Sequence, residues 1–159
     1  MGKKRIPINV AKIPQRNLTY LTDIEQKTLG LSNIDDDDKA DEKKPYIALK
    51  YYDLSFECFS AWDNQELRGF SRFVEKLRNV DWNTIYKSAG QLGTKTGFGY
   101  TRHKDRSKLP NGGRAIKEVS QEIPVFELRI GEKPRVHGFR MRSVFFLAWL
   151  DRNHRIRPM

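Results

Sequence analysis

The sequence predicts an α+β domain, a small antiparallel sheet with two helices packed on one face. Three observations support this: residues 46–54 are rich in aromatic and branched side chains, residues 63–90 show helical periodicity, and residues 123–150 contain three short strand patterns. Strands and helices that are grouped along the chain, instead of alternating, are typical of α+β folds. The expected order is one strand, two helices, a loop and three further strands.

The first expected strand, residues 46–54, follows an N-terminal arm at 1–45 that has a different composition. The arm contains two Ile-Pro pairs and a single aromatic residue, Tyr20, and a run of four aspartates at 35–38 leads into further charged residues. Charge-rich segments of this kind are typically hydrated linkers. We therefore divide the chain into an arm with an acidic linker and a domain at 46–159.

Two helices are expected next. Asp63 and Glu66 have the spacing of a capping box, in which each side chain accepts a hydrogen bond from the backbone of the other residue. Behind them apolar residues recur at helical spacing, and charged residues occupy the opposite face. Asp81 begins a second, shorter helix, which Gly90 ends. The apolar residues of the first helix are Leu67, Phe70, Phe73, Val74, Leu77 and Val80.

Residues 90–113 interrupt every periodic pattern and contain six glycines, so we expect a long, mobile, basic loop. Loops of this length in compact domains are usually functional or disordered. Phe98 and Tyr100 are suited to stack on unpaired bases. His103, in the same loop, is a further candidate for a catalytic role. The alternative is a loop that is merely solvated. The cations expected to contact nucleic acid here are Lys95, Arg102, Lys104 and Arg106.

Three strands are expected at 123–130, 135–140 and 144–150, with turns at 131–134 and 141–143. The last strand is almost wholly apolar, which predicts that both of its faces are covered. In the first two strands, alternation collects charged side chains on one face. The polar residues of these strands and of the tail are Glu127, Arg129, Arg135, His137, Arg152, His154 and Arg155. The aromatic residues expected in the core are Trp62, Phe70, Phe73, Trp82, Phe145, Phe146 and Trp149.

Nearly all of the excess positive charge lies in the last part of the chain. Residues 91–159 carry fifteen Lys and Arg against six Asp and Glu, a net charge of +9, whereas residues 1–45 carry +1 and residues 46–90 carry none. A basic half beside a neutral half favours a polyanionic partner, most often nucleic acid. The alternative is that the charge serves only solubility.

Length and composition limit the other function classes. At 159 residues the chain suits one domain with a tail. It has no run of about 18 apolar residues that would span a membrane, and no apolar stretch of a signal peptide follows its basic start. Cys58, the one cysteine, excludes an internal disulfide and a cysteine-rich zinc site. A cytoplasmic protein without a membrane partner is expected.

The polar residues of the last strands and tail are the kinds of group that RNA cleavage without a metal requires. A base takes the 2′-hydroxyl proton, cations stabilise the charge that develops around phosphorus, and an acid protonates the leaving oxygen. Glu127 or His154 is suited to move protons, and Arg129 and Arg135 to hold the phosphate. No metal is expected, because the histidines have no acidic neighbours at ligand spacing. No cofactor is expected, since Gly97-Phe98-Gly99 does not join a strand to a helix.

Each of these residues also has a purely structural interpretation. His154 is then an exposed tail residue, and Arg135 forms a structural salt bridge with Glu127 or Asp151. Glu127 in turn only holds an arginine across the sheet. His137, in the middle of a strand, is more typical of a packed and hydrogen-bonded histidine. The sequence leaves these alternatives open.

Three consecutive segments carry a resemblance to a known family: Phe126-Glu127-Leu128-Arg129-Ile130, Arg135-Val136-His137-Gly138-Phe139, and Val144 to His154. They resemble the three-strand core of the RelE/ParE-type toxin proteins. In that family an aromatic-x-Leu-Arg strand turns into an Arg-Val-x-aromatic strand, and an apolar strand then ends in a polar tail. The preceding strand and two helices also follow the order of the family. The resemblance covers about residues 46–157 and is strongest over 123–155.

The resemblance implies a RelE-like, metal-independent endoribonuclease that cleaves messenger RNA, in many members on the ribosome. It also implies a neutralising partner protein. Arg135 matches the arginine that begins the second of these strands, and Glu127 and Arg129 match charged positions one strand earlier. The tail residues that match a catalytic or RNA-binding position are Arg152, His154 and Arg155.

The chain also departs from the family. It is longer, because of the arm and the loop at 90–113, and Pro134 occupies an ordinary turn position. The usual tyrosine near the end is absent, so His154 has to take its place. Members of the ParE branch share the fold without being ribonucleases, so the fold alone does not decide activity. The alternative function is a non-catalytic module that binds nucleic acid or another protein.

Overall fold

The computed structural model describes residues 37–88 and 97–158. The α+β class predicted from the sequence is confirmed, whereas most of the arm, together with Lys95 and Gly90, lies outside the described residues. Short 3₁₀ helices lie at Asp37–Glu42, Phe59–Ala61, Arg106–Lys108 and Pro110–Ile116. The strands are β1 Tyr46–Ala48, β2 Thr101–Arg102, β3 Val125–Arg129, β4 Arg135–Met141 and β5 Val144–Asp151, and the helices are α1 Asn64–Leu77 and α2 Trp82–Lys87.

The five strands form one mixed sheet in the order β1-β5-β4-β3-β2. β1 runs parallel to β5, with Tyr46 opposite Val144, and the other neighbouring pairs are antiparallel. The predicted four-stranded antiparallel sheet is therefore wrong in strand number and in the direction of β1. Short turns impose antiparallel pairing on successive strands, whereas the long connection between β1 and β5 permits parallel pairing. The chain also leaves the sheet after Ala48, earlier than the expected strand at 46–54.

Helix α1 begins with the predicted capping box. The carboxylate of Asp63 accepts hydrogen bonds from the backbone N–H groups of Gln65 and Glu66, both at 2.8 Å, and the Glu66 carboxylate accepts from the Asp63 N–H at 2.8 Å. These bonds satisfy backbone donors that the first turn of a helix leaves free. Phe73 and Leu77 lie on the buried face of the helix, as the amphipathic pattern predicts, whereas Val74, also assigned to that face, is exposed.

The side chain of Trp82 attaches helix α2 to the turn between β4 and β5. Asp81 caps the helix by accepting from the N–H of Thr84 at 2.8 Å. Trp82 is fully buried, and its indole N–H donates to the carbonyl of Ser143, in the turn between β4 and β5, at 3.1 Å. A buried tryptophan needs such a partner for its N–H. The bond therefore fixes α2 against the β4–β5 hairpin.

Apolar side chains lie on both faces of the sheet. On one face, residues of α1 and α2 pack against the alternating apolar residues of β3, β4 and β5. On the other face, Leu109, Ile116 and Val119 pack against Val125 and Trp149. The seven aromatic residues predicted for the core all take part in one of these two clusters. Strand β5 is therefore covered on both faces, as its apolar sequence predicts.

The described part of the expected mobile loop is folded against the sheet. Phe98 is buried against Phe73, so its ring is not placed to stack on bases, whereas Tyr100 packs on Phe126 and remains half-buried. The guanidinium of Arg106 donates to the carbonyls of Val119 at 2.9 Å, Ser120 at 2.6 Å and Ile123 at 2.5 Å. The glycines of this segment predict a mobile loop, but buried apolar residues hold its described part against the sheet.

A β-bulge interrupts the pairing of β4 with β5 between His137 and Gly138. It places Ala148 and Trp149 together in the cluster that faces Leu109. A Cβ atom at Gly138 would lie 2.0 Å from the carbonyl oxygen of Phe146, so this position requires glycine. The bulge directly adjoins the polar residues described below. Among the described residues, no helix has the length and apolar character needed to cross a membrane.

Candidate functional site

All three histidines of the chain lie in one network with two buried carboxylates. His103 Nε2 and His137 Nδ1 are hydrogen-bonded at 2.9 Å. The other ring nitrogen of His137, Nε2, lies 3.4 Å from Asp151 Oδ2, and its Nδ1 lies 3.9 Å from Glu127 Oε2. His154 Nε2 lies 3.4 Å from the second Glu127 oxygen, Oε1. We call these five residues the histidine network.

Strand register brings the central members of the network together. β3 pairs with β4 so that Glu127 lies opposite His137, and β4 pairs with β5 so that Asp151 lies opposite Arg135. Directly opposite residues on neighbouring strands share a face and lie close enough for their side chains to interact. His103 enters from the end of β2, where its N–H donates to the carbonyl of Val125 at 2.8 Å.

The tail brings the remaining member, His154, into the network. The Asp151 carboxylate accepts from the N–H of Arg155 at 2.7 Å and from that of Ile156 at 2.8 Å, which folds the tail back over the end of β5. His154 lies inside this turn with a positive φ of 54°, a conformation that non-glycine residues adopt uncommonly. Asp151 therefore holds both the tail and the ring of His137.

The centre of the network is buried, whereas its two ends are partly open. His137 and Asp151 are 0% exposed and Glu127 is 4% exposed. His103 is half-buried, and the side chain of His154 retains 12% of its exposure. Three buried atoms of the network have no hydrogen-bond partner: Glu127 Oε2, His137 Nε2 and His154 Nε2. Unsatisfied buried polar atoms are rare in folded proteins, and they are often found where a protein binds or reacts with something.

The environment keeps the two outer histidines neutral. Burial is the main cause that lowers the pKa of His103 to about 3, and the neighbouring His137 ring and the guanidinium of Arg157 lower it further. Burial also lowers the pKa of His154, and the negative charge of Glu127 only partly offsets this effect. At neutral pH both imidazoles therefore have a nitrogen lone pair that can accept a proton or bind a cation.

Asp151 orders the protons along the network. Burial by itself raises the pKa of Asp151, but the nearby imidazole of His137 and the backbone N–H groups of Ile156 and Arg155 outweigh it, and the pKa lies below its ordinary value. An ionised Asp151 favours the tautomer of His137 that carries its proton on Nε2, which leaves Nδ1 as an acceptor. His103 then donates to that atom from Nε2, and its own Nδ1 is an acceptor.

One nitrogen of Arg135 is bound inside the turn between β3 and β4. Its NH1 group donates to four carbonyls of the β3–β4 turn, those of Gly131, Glu132, Lys133 and Pro134, at 3.0 to 3.2 Å. The residue is only 4% exposed. This nitrogen is therefore committed to the turn, while the positive charge of Arg135 also lies close enough to Glu127 and Asp151 to interact with both.

Arg129 keeps an unused donor near the network. Its Nε is buried without a hydrogen-bond partner. The side chain passes Gly99, where a Cβ atom would lie 3.2 Å from that nitrogen and where φ is +57°. Glycine at this position therefore leaves room for the arginine. Of the two arginines expected to hold a phosphate, Arg129 is the one with a buried donor nitrogen that has no partner inside the protein.

Both tail arginines are paired with acidic side chains. Arg152 NH2 lies 3.1 Å from Glu66 Oε2, and its NH1 donates to the carbonyl of Ala61. Arg155 NH2 lies 3.2 Å from Glu57 Oε2. These contacts attach the tail to the α1 side of the domain, so the predicted nucleic-acid role of the two arginines competes with ion pairs inside the protein.

A basic groove of about 540 Å³ opens beside the network. Arg102, Lys104 and Arg106 line it together with His103. Arg102 and Lys104 are exposed, whereas Arg106 is already occupied by backbone carbonyls. Two of the four loop cations expected to contact nucleic acid thus face a groove that leads to the histidine network, and Lys95 lies outside the described residues.

The sequence predicts no metal site, because no acidic residue lies at ligand spacing from the histidines along the chain. In the folded protein, however, Glu127 lies close to His103 and His137. One ligand atom each from His103, Glu127 and His137 lie within 4.8 Å of one another. A turn at 131–134, as expected, would have placed Glu127 opposite Gly138. The observed connection makes Arg129 and Arg135 partners instead, and this shift of one residue places Glu127 opposite His137. Only the exact hairpin register could have revealed the cluster.

Comparison with protein-family models, with curated proteins and with solved structures gives no match.

Proposed function

We propose that the chain is an endoribonuclease of the toxin type suggested by its resemblance to the RelE/ParE proteins, acting on messenger RNA without a metal. The observation that supports this most directly is the histidine network, in which two partly open, neutral imidazoles flank buried carboxylates beside a basic groove. Acid–base groups next to a cationic surface are what phosphodiester cleavage requires.

In the proposed reaction His154 is the base. Glu127 lies 3.4 Å from its Nε2 and stabilises the positive charge that the ring acquires. His154 removes the 2′-hydroxyl proton, O2′ forms a bond to phosphorus, and the bond between phosphorus and O5′ breaks. The products are a 2′,3′-cyclic phosphate and a 5′-hydroxyl end.

His103 is suited to return a proton to O5′. It lines the groove, and the negative charge of Asp151, on the far side of His137, favours its protonated form. In the free protein its pKa is about 3, and the negative charge of a phosphate bound beside it raises that value. Arg129, Arg102 and Lys104 supply positive charge for the phosphate.

The test is cleavage of messenger RNA by the full chain in EDTA, with and without ribosomes. We expect His154→Ala to lower the rate at least 100-fold, within the range that general acid–base groups contribute. Arg78→Gln, which removes a cation from an exposed pair on α1, is the matched control and should cleave like the wild type. Circular dichroism checks that both variants are folded, and a cyclic phosphate end identifies the chemistry.

RNA that stays intact with and without ribosomes would overturn the catalytic proposal. If the same protein still bound RNA in a salt-dependent manner, the result would instead support the alternative, a non-catalytic nucleic-acid-binding module. The resemblance also leads us to propose a neutralising partner protein, which should abolish cleavage when it is added in equimolar amount.

A further inference from the structure

We propose that His103, Glu127 and His137 form a binding site for a divalent transition-metal ion, with zinc as the ion that fits best. The three donor atoms lie within 4.8 Å of one another. Two of the donors are imidazole nitrogens 2.9 Å apart, and the third is a carboxylate oxygen 3.9 Å from one of them. The proposal depends on this geometry and not on the ribonuclease activity.

The distance between the two nitrogens suits a small ion with short bonds, and the carboxylate oxygen, 3.9 Å from His137 Nδ1, has to move closer to complete the site. Zinc–nitrogen bonds of about 2.0–2.1 Å at a tetrahedral angle place two ligand nitrogens roughly 3.3 Å apart. The observed 2.9 Å between His103 Nε2 and His137 Nδ1 needs to widen by only a few tenths of an ångström. Two imidazoles and one carboxylate are a donor set found in zinc sites that keep a fourth position for water. Magnesium and calcium prefer oxygen ligands, so they fit less well.

The surrounding residues complete the second shell of such a site. Asp151 Oδ2 lies 3.4 Å from His137 Nε2, the ring nitrogen opposite the one that would bind the ion. Metal-binding histidines usually donate their second N–H to a carboxylate in this way. His154 Nε2 lies 3.4 Å from Glu127 Oε1, while the other carboxylate oxygen, Oε2, lies 3.9 Å from His137 Nδ1.

An unsatisfied atom provides an independent indication. Glu127 Oε2 is buried, in a residue that is 4% exposed, and it has no hydrogen-bond partner. A buried carboxylate oxygen without a partner is costly, and a bound cation removes the cost. Glu127 and Asp151 together offset the two charges of the ion. The positive charge of Arg135 opposes it, so the site should bind zinc less tightly than one without a neighbouring cation.

Zinc and the proton shared by His103 and His137 exclude each other, because both occupy the same nitrogen lone pairs. If the proposed function holds, zinc therefore acts as an inhibitor, since it removes Glu127 and His103 from acid–base work. This consequence depends on the proposed function, whereas zinc binding itself does not.

The experiment measures Zn²⁺ binding to the full chain in the absence of RNA, by competition with a chromophoric chelator. We expect one equivalent to bind and His103→Gln to weaken the affinity at least 100-fold. Cys58→Ser and Glu75→Gln are matched controls that remove the one thiol and an exposed carboxylate on α1, and both should leave the affinity unchanged. Mg²⁺ should not compete. The visible d–d absorption of Co²⁺ reports nitrogen and oxygen ligation directly, and it should be lost in His103→Gln.

Two results would overturn the proposal: no competition with the chelator, or an affinity that His103→Gln leaves unchanged. Circular dichroism of His103→Gln separates loss of a ligand from loss of the fold, and Glu127→Gln provides a second ligand variant. The two proposals fail separately. Cleavage in EDTA without zinc binding would support the ribonuclease proposal and contradict the zinc site. Zinc binding without cleavage would support the zinc site and contradict the ribonuclease proposal.

Discussion

The two faces of the sheet are covered by different kinds of chain and contain different chemistry. On one face, α1 and α2 cover aromatic and aliphatic side chains of β3, β4 and β5. On the other face, the irregular segment around Leu109 and Ile116 covers a smaller apolar cluster, and the histidine network occupies the rest of that face.

This difference separates an apolar core from a cluster of ionisable side chains. The helix face buries apolar side chains whose packing stabilises the fold. The other face surrounds ionisable side chains closely enough to lower the pKa of His103, yet leaves His103 and His154 partly open. A single sheet can carry an apolar core on one face and ionisable side chains on the other, because successive residues of a strand point to opposite faces.

The largest effect on stability is expected at Gly138, which lies at the bulge between β4 and β5. In Gly138→Ala the new Cβ atom would lie 2.0 Å from the carbonyl oxygen of Phe146, so β4 and β5 must separate. We expect a loss of roughly 4 kcal/mol or more in the free energy of unfolding, measured with urea. The control is Gly69→Ala in α1, whose Cβ atom makes an ordinary contact with Ile130 at 3.4 Å. It should be neutral or stabilise by up to about 1 kcal/mol.

The next effect compares the two apolar clusters. Leu77 on α1 is 1% exposed, and Leu109 in the irregular segment is 3% exposed. Because both side chains are packed, Leu77→Ala and Leu109→Ala should each lower the free energy of unfolding by about 2–4 kcal/mol. A near-zero effect of Leu109→Ala beside a large effect of Leu77→Ala would show that the second face is not a core.

The histidine network should make the free energy of unfolding depend on pH. The pKa of His103 falls from 6.5 to about 3 on folding, while His137, Glu127, Asp151 and His154 surround it. Between these pH values the unfolded chain binds a proton that the folded chain does not, so stability falls as pH drops from about 6.5 towards 3. In EDTA, urea unfolding of His103→Gln should show a slope against pH that is shallower by up to about 1.4 kcal/mol per unit.

An equal slope in His103→Gln and the wild type would show that this histidine is protonated alike in both states. The buried environment described for it would then be contradicted, while the distances within the network would be unaffected.

The smallest effect concerns RNA binding and depends on the proposed function. Arg102 and Lys104 are exposed in the groove, so replacing both with glutamine should make the slope of log K against log salt shallower by about 0.7 for each phosphate that the variant no longer neutralises. Arg78→Gln on α1 is the control for the removal of a surface charge. Equal slopes in the double variant and the wild type would place the RNA elsewhere on the protein.

Much of the helix face follows from local sequence patterns. The capping box at Asp63 and Glu66 and the covered strand β5 are present as predicted, and so is the buried face of α1 apart from the exposed Val74. These features depend on residues close together in the chain, where spacing alone decides which side chains share a face.

The other face depends on pairings that local patterns do not contain. Six glycines between 90 and 113 predict mobility, yet Leu109 and Arg106 fasten the described part of this segment to the sheet. Glycine spacing reports the freedom of the backbone, and it says nothing of distant partners that remove this freedom.

The sequence by itself determined the α+β class, the two helices, the alternation that sets Glu127 and His137 on polar faces, and the positive charge of the C-terminal part. Only the tertiary structure decided that His103 and Asp151 join them, that Arg135 holds a turn, and that β1 runs parallel to β5. The physical reason is that local spacing orients a side chain, whereas a shift of one residue in strand register changes which side chain it faces.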